Sequence, residues 1–227
     1  MLNPVYFLMY CTGEKSNITQ IEGQFPQEPF PASAMREEFV KDWVHVPDEK
    51  FKQYFLDWEQ RGEFANPTYP TADMAVDIVN WQETMHYIDD SLGVCAGLSS
   101  FPLKPPYHIH NYPKFISSAL GIEMDEAGLK EVYKRTRNLM RAINIRRGLR
   151  RADEKPPEDH WKKRFPELET KLLDAYYKFK GWNNEGVPTK ATLQNLGLGD
   201  VADDLIRRGL LSEQEQVRAE ELVAEPA

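Results

Sequence analysis

The sequence predicts an all-α, multihelical fold. Apolar residues recur at spacings of three and four over most of the chain after residue 70, which is the period of a helix with one buried face. No stretch alternates between apolar and polar residues for long enough to predict a sheet. Glycine and proline residues interrupt the periodic stretches where helices are expected to end.

Residues 1–70 are expected to form an irregular N-terminal segment with short helices. Residues 1–32 contain four prolines and little periodicity, which favours an extended chain. Their apolar start, residues 6–10, is predicted to pack on a missing N-terminal domain or chain. The alternative is a short strand or helical turn that is buried within this chain. Short helices are predicted over residues 33–43 and 48–60.

A longer helix is predicted to open at Thr71 or Asp73 and to end near Asp90. Its apolar residues step by four and three, which predicts one buried stripe made of Met74, Ile78, Trp81, Met85 and Ile88. Gly93 then allows a turn with positive φ. A proline-rich loop is expected from residue 96 to residue 113.

Further helices are expected along the rest of the chain. A short one is predicted over residues 114–120. Asp125 can cap the next, whose buried stripe would be Leu129, Val132, Thr136, Leu139 and Ile143. Three more are each followed by a glycine and are predicted over residues 168–179, 189–196 and 200–208. Residues 212–227 are expected to form a polar C-terminal helix or tail.

The composition is that of a globular protein. Of the 227 residues, 41% are hydrophobic and 28% are charged, which argues against a disordered chain. The net charge of −8 argues against nonspecific binding of nucleic acid. No apolar run approaches the roughly 18 residues of a membrane span, and the start lacks the basic lead of a secretory signal. We therefore expect a cytoplasmic protein with neither a membrane nor a nucleic-acid partner.

The stretch from Asp90 to Cys95 combines residue types that suit a cofactor site. A carboxylate at the C-terminal end of a helix faces the negative end of the helix dipole, so it needs donors from a ligand or another loop. Gly93 lets the backbone approach a ligand closely, and Cys95 can offer a thiolate. From these facts alone, an ordinary turn after a helix and a small buried cysteine explain the stretch better.

The sequence Asp90-x-x-Gly93-Val94-Cys95 resembles the D-x-x-G-L-C element of the aldehyde ferredoxin oxidoreductase family, with Val94 in place of leucine. Further elements that resemble the family follow in order: Asn138-Leu139, Asn144 to Gly148, Asp153 with Pro156-Pro157, Tyr176-Tyr177, Gly181-Trp182 and Gly186 to Thr189. The resemblance covers roughly residues 74–206 and implies the multihelical orthogonal assembly of that family's C-terminal domains.

The resemblance also implies two cofactors. Members of the family hold a tungsten ion in a bis-pterin cofactor beside one [4Fe–4S] cluster. By this resemblance Asp90, Gly93 and Val94 contact the pterin, and Cys95 is the last of the four cluster ligands. Residues 71–211 would then form a helical domain that contacts both the tungstopterin and the cluster. One short element that holds both groups fixes their separation and lets the protein tune the cluster.

The sequence departs from the family in what it lacks. Its two cysteines, Cys11 and Cys95, cannot supply four thiolates. The family's other three cluster cysteines and its β-rich pterin-binding domain lie upstream of the region of resemblance. We therefore expect a split gene or a truncated product that is inactive as an isolated chain. Both cofactors would be shared with an N-terminal part or a partner subunit.

The function that the resemblance implies is an oxidoreductase that acts on an aldehyde or other oxo group. It would pass electrons to a ferredoxin-like carrier in an anaerobic cytoplasm. The alternative is the catalytic-subunit segment of an aromatic acyl-CoA (benzoyl-CoA type) reductase, because residues 14–70 match the aldehyde enzymes only loosely. Two answers of other classes stay open: a cofactor-free helical binding or scaffold protein, and an RNA-binding helical module.

Other polar residues are secondary candidates. His45 is the candidate catalytic proton donor, with Glu49 and His86 as rivals. His108 and His110 form an H-x-H pair, for which stacking or hydrogen bonding in the loop explains more than metal binding does.

An arginine-rich run is expected to pair with acidic surface elsewhere. Its functional alternative is contact with phosphate groups of a pterin or of a coenzyme A thioester. The run consists of Arg135, Arg137, Arg141, Arg146, Arg147, Arg150 and Arg151. Tyr176, Tyr177 and Trp182 are predicted to belong to the core rather than to a site.

Overall fold

The structure, a computed structural model, describes residues 4–13, 72–94, 107–155 and 168–212. The described residues fold into helices, with one isolated bridge between Trp182 and Pro188 and a 3-10 turn over Arg151–Asp153. The helices are α1 (Pro4–Thr12), α2 (Ala72–Leu92), α3 (Tyr107–Leu120), α4 (Glu126–Arg146), α5 (Leu168–Lys180), α6 (Lys190–Asn195) and α7 (Gly199–Arg207). The all-α prediction is confirmed.

Helix α2 lies at the centre of this assembly and contacts α1, α4 and α5. The prediction of a single buried stripe on α2 therefore understates how much of this helix is buried. Four residues that point to different sides of the helix are all buried: Ala75, Val76, Asp77 and Val79. A helix that neighbours cover on several sides is buried around most of its circumference. None of the helices in the described ranges is long and apolar enough to cross a membrane.

The start of the chain is a helix rather than an extended segment. Phe7, Leu8 and Met9 of α1 are buried in the main core, and α1 contacts α2 and α5. Pro4 is the first residue of this helix, where proline needs no amide hydrogen and its fixed φ suits the helix. These three residues of the apolar start are thus covered within this chain.

Helix α3 begins within the stretch that the sequence predicted to be a loop. It starts at Tyr107 and continues through Pro113, so the prediction that the loop extends to residue 113 is wrong. A proline inside a helix removes one hydrogen bond. The burial of Tyr112 and Ile116 on one face of α3 offsets that loss.

Helix α4 begins where the sequence predicted but buries a different face. The carboxylate of Asp125 caps it by accepting a hydrogen bond from the amide of Gly128 at 2.7 Å. Of the expected stripe, Val132 and Leu139 are exposed. The buried face consists of Leu129, Tyr133, Arg137, Asn138, Arg141, Ala142 and Ile145. The prediction failed because two arginines with buried partners occupy core positions.

The first of these arginines belongs to a buried charge cluster around Glu83 of α2. Lys180 of α5 lies 2.8 Å from the Glu83 carboxylate, and the guanidinium of Arg137 lies 3.4 Å from it. The hydroxyl of Tyr176 donates to the same carboxylate at 2.6 Å. Arg137 also donates to the carbonyl of Thr12 at 3.1 Å, which ties the end of α1 to the cluster.

Burial and the neighbouring charges together set the pKa values of the cluster. Burial alone would raise the pKa of Glu83, but the charges of Lys180 and Arg137 outweigh burial and hold the pKa below its ordinary value. Burial lowers the pKa of Lys180 to about 8, although Glu83 opposes that shift. The charge of Arg137 acts in the same sense on both groups, because it favours the ionised acid and disfavours the protonated amine.

The second buried arginine forms a separate pair with Glu154, which follows the 3-10 turn. Two guanidinium nitrogens of Arg141 meet the two carboxylate oxygens of Glu154 at 2.7 and 2.8 Å. Its third nitrogen donates to the carbonyl of Gly186 at 2.7 Å, and the hydroxyl of Tyr177 donates to Glu154. This bidentate geometry is the strong form of such a pair.

Trp182 lies between the two buried arginines. Its ring centre is 4.9 Å from the guanidinium carbon of Arg137 and 4.4 Å from that of Arg141. The indole nitrogen donates to the side chain of Asn138 at 2.8 Å. Tyr176 and Tyr177 pack against the same ring. The prediction that these three aromatic residues belong to the core is confirmed.

The substitution Gly186→Ala is expected to lower the free energy of unfolding of the full chain by about 2–5 kcal/mol. Gly186 has φ +74°, and a Cβ atom there would lie 2.2 Å from a guanidinium nitrogen of Arg141. The pair with Glu154 prevents Arg141 from moving aside. Gly199→Ala is the control, because a Cβ atom at Gly199 meets nothing within 4 Å. Equal urea midpoints for the two variants would contradict this prediction.

The substitution Glu83→Gln is expected to lower the free energy of unfolding by about 3–5 kcal/mol at neutral pH, because it leaves Lys180 and Arg137 without a buried carboxylate. The lowered pKa of Glu83 means that its contribution is present above its ordinary pKa of 4.5 and is lost as the pH falls through the lower folded-state pKa. The loss of stability below pH 4.5 should therefore be shallower in Glu83→Gln than in the parent chain.

Chemical unfolding across this pH range measures the effect. The matched control is Glu131→Gln on the exposed side of α4, which should unfold as the parent chain does. If the free energy of unfolding of Glu83→Gln falls with decreasing pH as steeply as that of the parent chain, another group is responsible for the pH dependence.

Candidate functional site

The C-terminal end of α2 carries the residues that the sequence assigned to cofactor contact. The helix ends at Leu92, and Gly93 turns the chain with φ +69°, as predicted. The amide of Gly93 donates to the carbonyl of Asp90 at 3.2 Å, and the amide of Val94 donates to the carbonyl of Asp89 at 2.8 Å. These bonds close the helix and hold the turn against its last residues.

Asp90 and the backbone of Gly93 form an open surface at this turn. The side chain of Asp90 is exposed, and a Cβ atom built on Gly93 would meet nothing within 4 Å. Both amides of the turn donate to helix carbonyls, and the exposed carboxylate of Asp90 offers acceptor oxygens at the same surface. An exposed acceptor beside uncovered backbone fits the N–H-rich edge of a flat ring such as a pterin.

Several candidate residues lie outside the described residues. These include Cys95, the candidate cluster ligand, and His45 and Glu49, the candidate proton donors. Their roles remain predictions. Within the described ranges, no three His, Cys, Asp or Glu side chains come together as a metal site.

Two of the histidine interpretations can be compared with the structure. His86 is buried in α2, so it belongs to the core rather than to the exposed turn. His108 and His110 lie in the first turn of α3 and not in a loop. The interpretation of this pair as loop residues is therefore wrong, because the helix begins at Tyr107.

The arginine-rich run divides into buried and exposed members. Arg137 and Arg141 are fully buried and pair with acidic groups of the core, not with the surface. On the surface, Arg146 lies 3.4 Å from Asp204, and Arg151 lies 2.6 Å from Asp174. The expected pairing with acidic residues is thus observed for these four arginines, and two of the pairs are buried in the core.

Sequence reasoning missed Asp89, which precedes Asp90. Asp89 is fully buried, and the hydroxyl of Tyr112 in α3 donates to its carboxylate at 2.5 Å. Asp89 lies four residues after Met85 of the predicted apolar stripe, and this helical spacing was the available signal that it faces inwards. No local pattern could have named Tyr112, which lies 23 residues further along the chain.

The comparisons with known proteins agree with these features. The family model described as "Aldehyde ferredoxin oxidoreductase, domains 2 & 3" matches residues 33–198. The match begins earlier than the motifs, which cover roughly residues 74–206. A search of curated proteins found no match.

One solved structure is similar over most of this chain. It is the active site complex BamBC of benzoyl coenzyme A reductase in complex with 1,5-dienoyl-CoA. The two chains are 69% identical with a TM-score of 0.76, and the match covers 93% of this chain and 32% of the other. This chain therefore spans about a third of the length of that relative. The matches over residues 33–198 and over nearly all of the chain establish that this protein belongs to the aldehyde ferredoxin oxidoreductase family, as a part of its C-terminal region.

Proposed function

We propose that this chain is the C-terminal part of the catalytic subunit of an aromatic acyl-CoA reductase of the benzoyl-CoA type. The supporting observation is the 69% identity to a chain of the benzoyl coenzyme A reductase complex over 93% of this sequence. The match to domains 2 and 3 of the aldehyde ferredoxin oxidoreductase family supports an oxidoreductase of either kind. The comparison therefore favours the acyl-CoA alternative over the aldehyde substrate that was expected first.

The residues of the α2 turn suit a role in holding the cofactors. Asp90 would accept hydrogen bonds from the amino and ring N–H groups of a pterin, since an ionised carboxylate offers only acceptors. The backbone at Gly93 and Val94 would lie against the same ring, because no Cβ atom separates Gly93 from it. Cys95, two residues further on, would ligate iron as a thiolate.

When bound, a tungsten bis-pterin and a [4Fe–4S] cluster would supply electron transfer to the substrate. This chain would hold the cofactors in position and would not itself carry out redox chemistry. The buried cluster around Glu83 fixes α2, and α2 presents Asp90 about two turns beyond Glu83. A short, rigid element between two cofactors keeps their distance constant from one turnover to the next.

The partners follow from the same likeness. The similar structure is a complex that holds a coenzyme A thioester. We propose that this chain likewise works with the remaining part of the enzyme or a partner subunit and takes an acyl-CoA substrate. A ferredoxin-like carrier would donate the electrons.

The proposed function predicts which substrate the purified enzyme that contains this chain will use. With an artificial electron acceptor under anaerobic conditions, it should oxidise a cyclic 1,5-dienoyl-CoA and not simple aldehydes. Spectrophotometric assay of both substrates in one preparation measures the preference. Aldehyde oxidation without any thioester turnover would overturn the proposal.

The same preparation tests the alternative that this chain is a cofactor-free scaffold protein. The iron content should fall in Cys95→Ala and should be kept in the control Cys11→Ala, whose side chain is half-buried in α1. A parent enzyme that contains neither tungsten nor iron would favour the scaffold instead.

The substitution Asp90→Asn is expected to lower the pterin and tungsten content of the enzyme at least several-fold. The amide has the same shape but loses the charge, and a hydrogen bond to a charged group contributes about 1.5–3 kcal/mol. The matched control is Asp73→Asn, an exposed aspartate at the other end of α2. Metal analysis and circular dichroism separate loss of cofactor from loss of fold. Equal tungsten content in both variants would exclude a role for Asp90.

A further inference from the structure

We propose that Asp89 and Tyr112 are positioning residues, which hold the turn that presents Asp90 to the cofactors. This inference rests on the proposed role of Asp90 in pterin contact. Neither residue is expected to touch a cofactor or a substrate. Their role is to keep the last turn of α2 and the following backbone in one place.

The two neighbouring aspartates point in different directions. Successive side chains on a helix diverge by about 100°, so one of them can face the core while the next faces outwards. Asp89 is fully buried, whereas Asp90 is exposed. Burying a carboxylate is costly unless donors compensate for the lost water. The burial of Asp89 therefore indicates that its carboxylate has a structural role.

Asp89 contacts both α3 and the turn. Its carboxylate accepts the hydrogen bond from the Tyr112 hydroxyl at 2.5 Å, and Tyr112 is itself buried. Its carbonyl accepts the amide of Val94 at 2.8 Å. One residue thus joins the turn to a helix that begins more than ten residues further along the chain.

Two other hydrogen bonds at the end of α2 are local. Ser91 donates to the carbonyl of Tyr87 at 2.6 Å, and Gly93 donates to the carbonyl of Asp90. Local bonds satisfy the end of a helix but do not prevent it from fraying. The Asp89–Tyr112 hydrogen bond links the last turn to a second element, so its loss should free the turn more than the rest of α2.

Hydrogen exchange of the purified enzyme tests this proposal. In Tyr112→Phe, peptides that cover residues 87–94 should exchange on the order of tenfold faster, while peptides from the middle of α4 stay protected. The matched control is Tyr176→Phe, the same chemical change at a buried hydroxyl that donates to Glu83. It should leave the exchange of the turn relative to the rest of α2 unchanged.

A second pair of variants and a spectroscopic readout complete the test. Asp89→Asn keeps an oxygen that can accept from Tyr112, so it should retain more protection of the turn than Asp89→Ala. The tungsten(V) electron paramagnetic resonance signal should shift in Tyr112→Phe and not in Tyr176→Phe, because only the first variant removes a hydrogen bond at the turn itself.

Unchanged exchange of residues 87–94 in Tyr112→Phe would overturn the proposal, and so would equal acceleration along the whole of α2. Faster exchange confined to the turn, with an unshifted tungsten signal, would support the anchoring role and overturn the proposed role of Asp90 instead.

Discussion

The burial of two guanidinium groups on α4 is the constraint on which the rest of the described fold depends. A guanidinium does not lose its proton in a protein, so Arg137 and Arg141 must find negative partners inside the core. Glu83 from α2 and Glu154 from the segment after α4 supply them. The partners belong to different parts of the chain, so these elements cannot slide past one another without separating charges at low dielectric. Trp182 fills the space between the two arginines and contacts both.

This constraint reaches the candidate site through α2. Glu83 and Asp90 lie on the same helix about 10 Å apart along its axis. The charge cluster fixes the middle of that helix against α4 and α5. The contact between Asp89 and Tyr112 then fixes its end against α3. The turn at Gly93 is therefore a small element on a rigid support, which is the arrangement that a cofactor-binding residue requires.

Local chemistry explains which parts of the fold could be predicted from the sequence. Asp125 caps its helix with its own side chain, and Gly93 turns the chain with positive φ. Each of these features depends on residues within a few positions, so a short pattern reveals it. The motif around Asp90 was found in another way, through its resemblance to a family element and the further elements that follow it in order along the chain.

Distant partners explain the parts that could not be predicted. The stripe predicted for α4 assumed that the buried residues are apolar. Arg137 is buried because Glu83 neutralises its charge, and no local pattern reveals this partner, since it lies more than 50 residues earlier in the sequence. Tyr107 to Pro113 was assigned to a loop because prolines usually interrupt helices, whereas the burial of Tyr112 and Ile116 keeps the helix intact. Asp89 escaped notice because its donor belongs to another helix.

The opposite orientations of Asp89 and Asp90 also limit how this region can change during evolution. One residue inserted or deleted between Glu83 and Asp89 would rotate the end of α2 by about 100° relative to its middle. An insertion would turn the inward carboxylate towards solvent, whereas a deletion would turn its exposed neighbour into the apolar interior. Relatives that keep this arrangement should therefore vary in length between helices and not within this one.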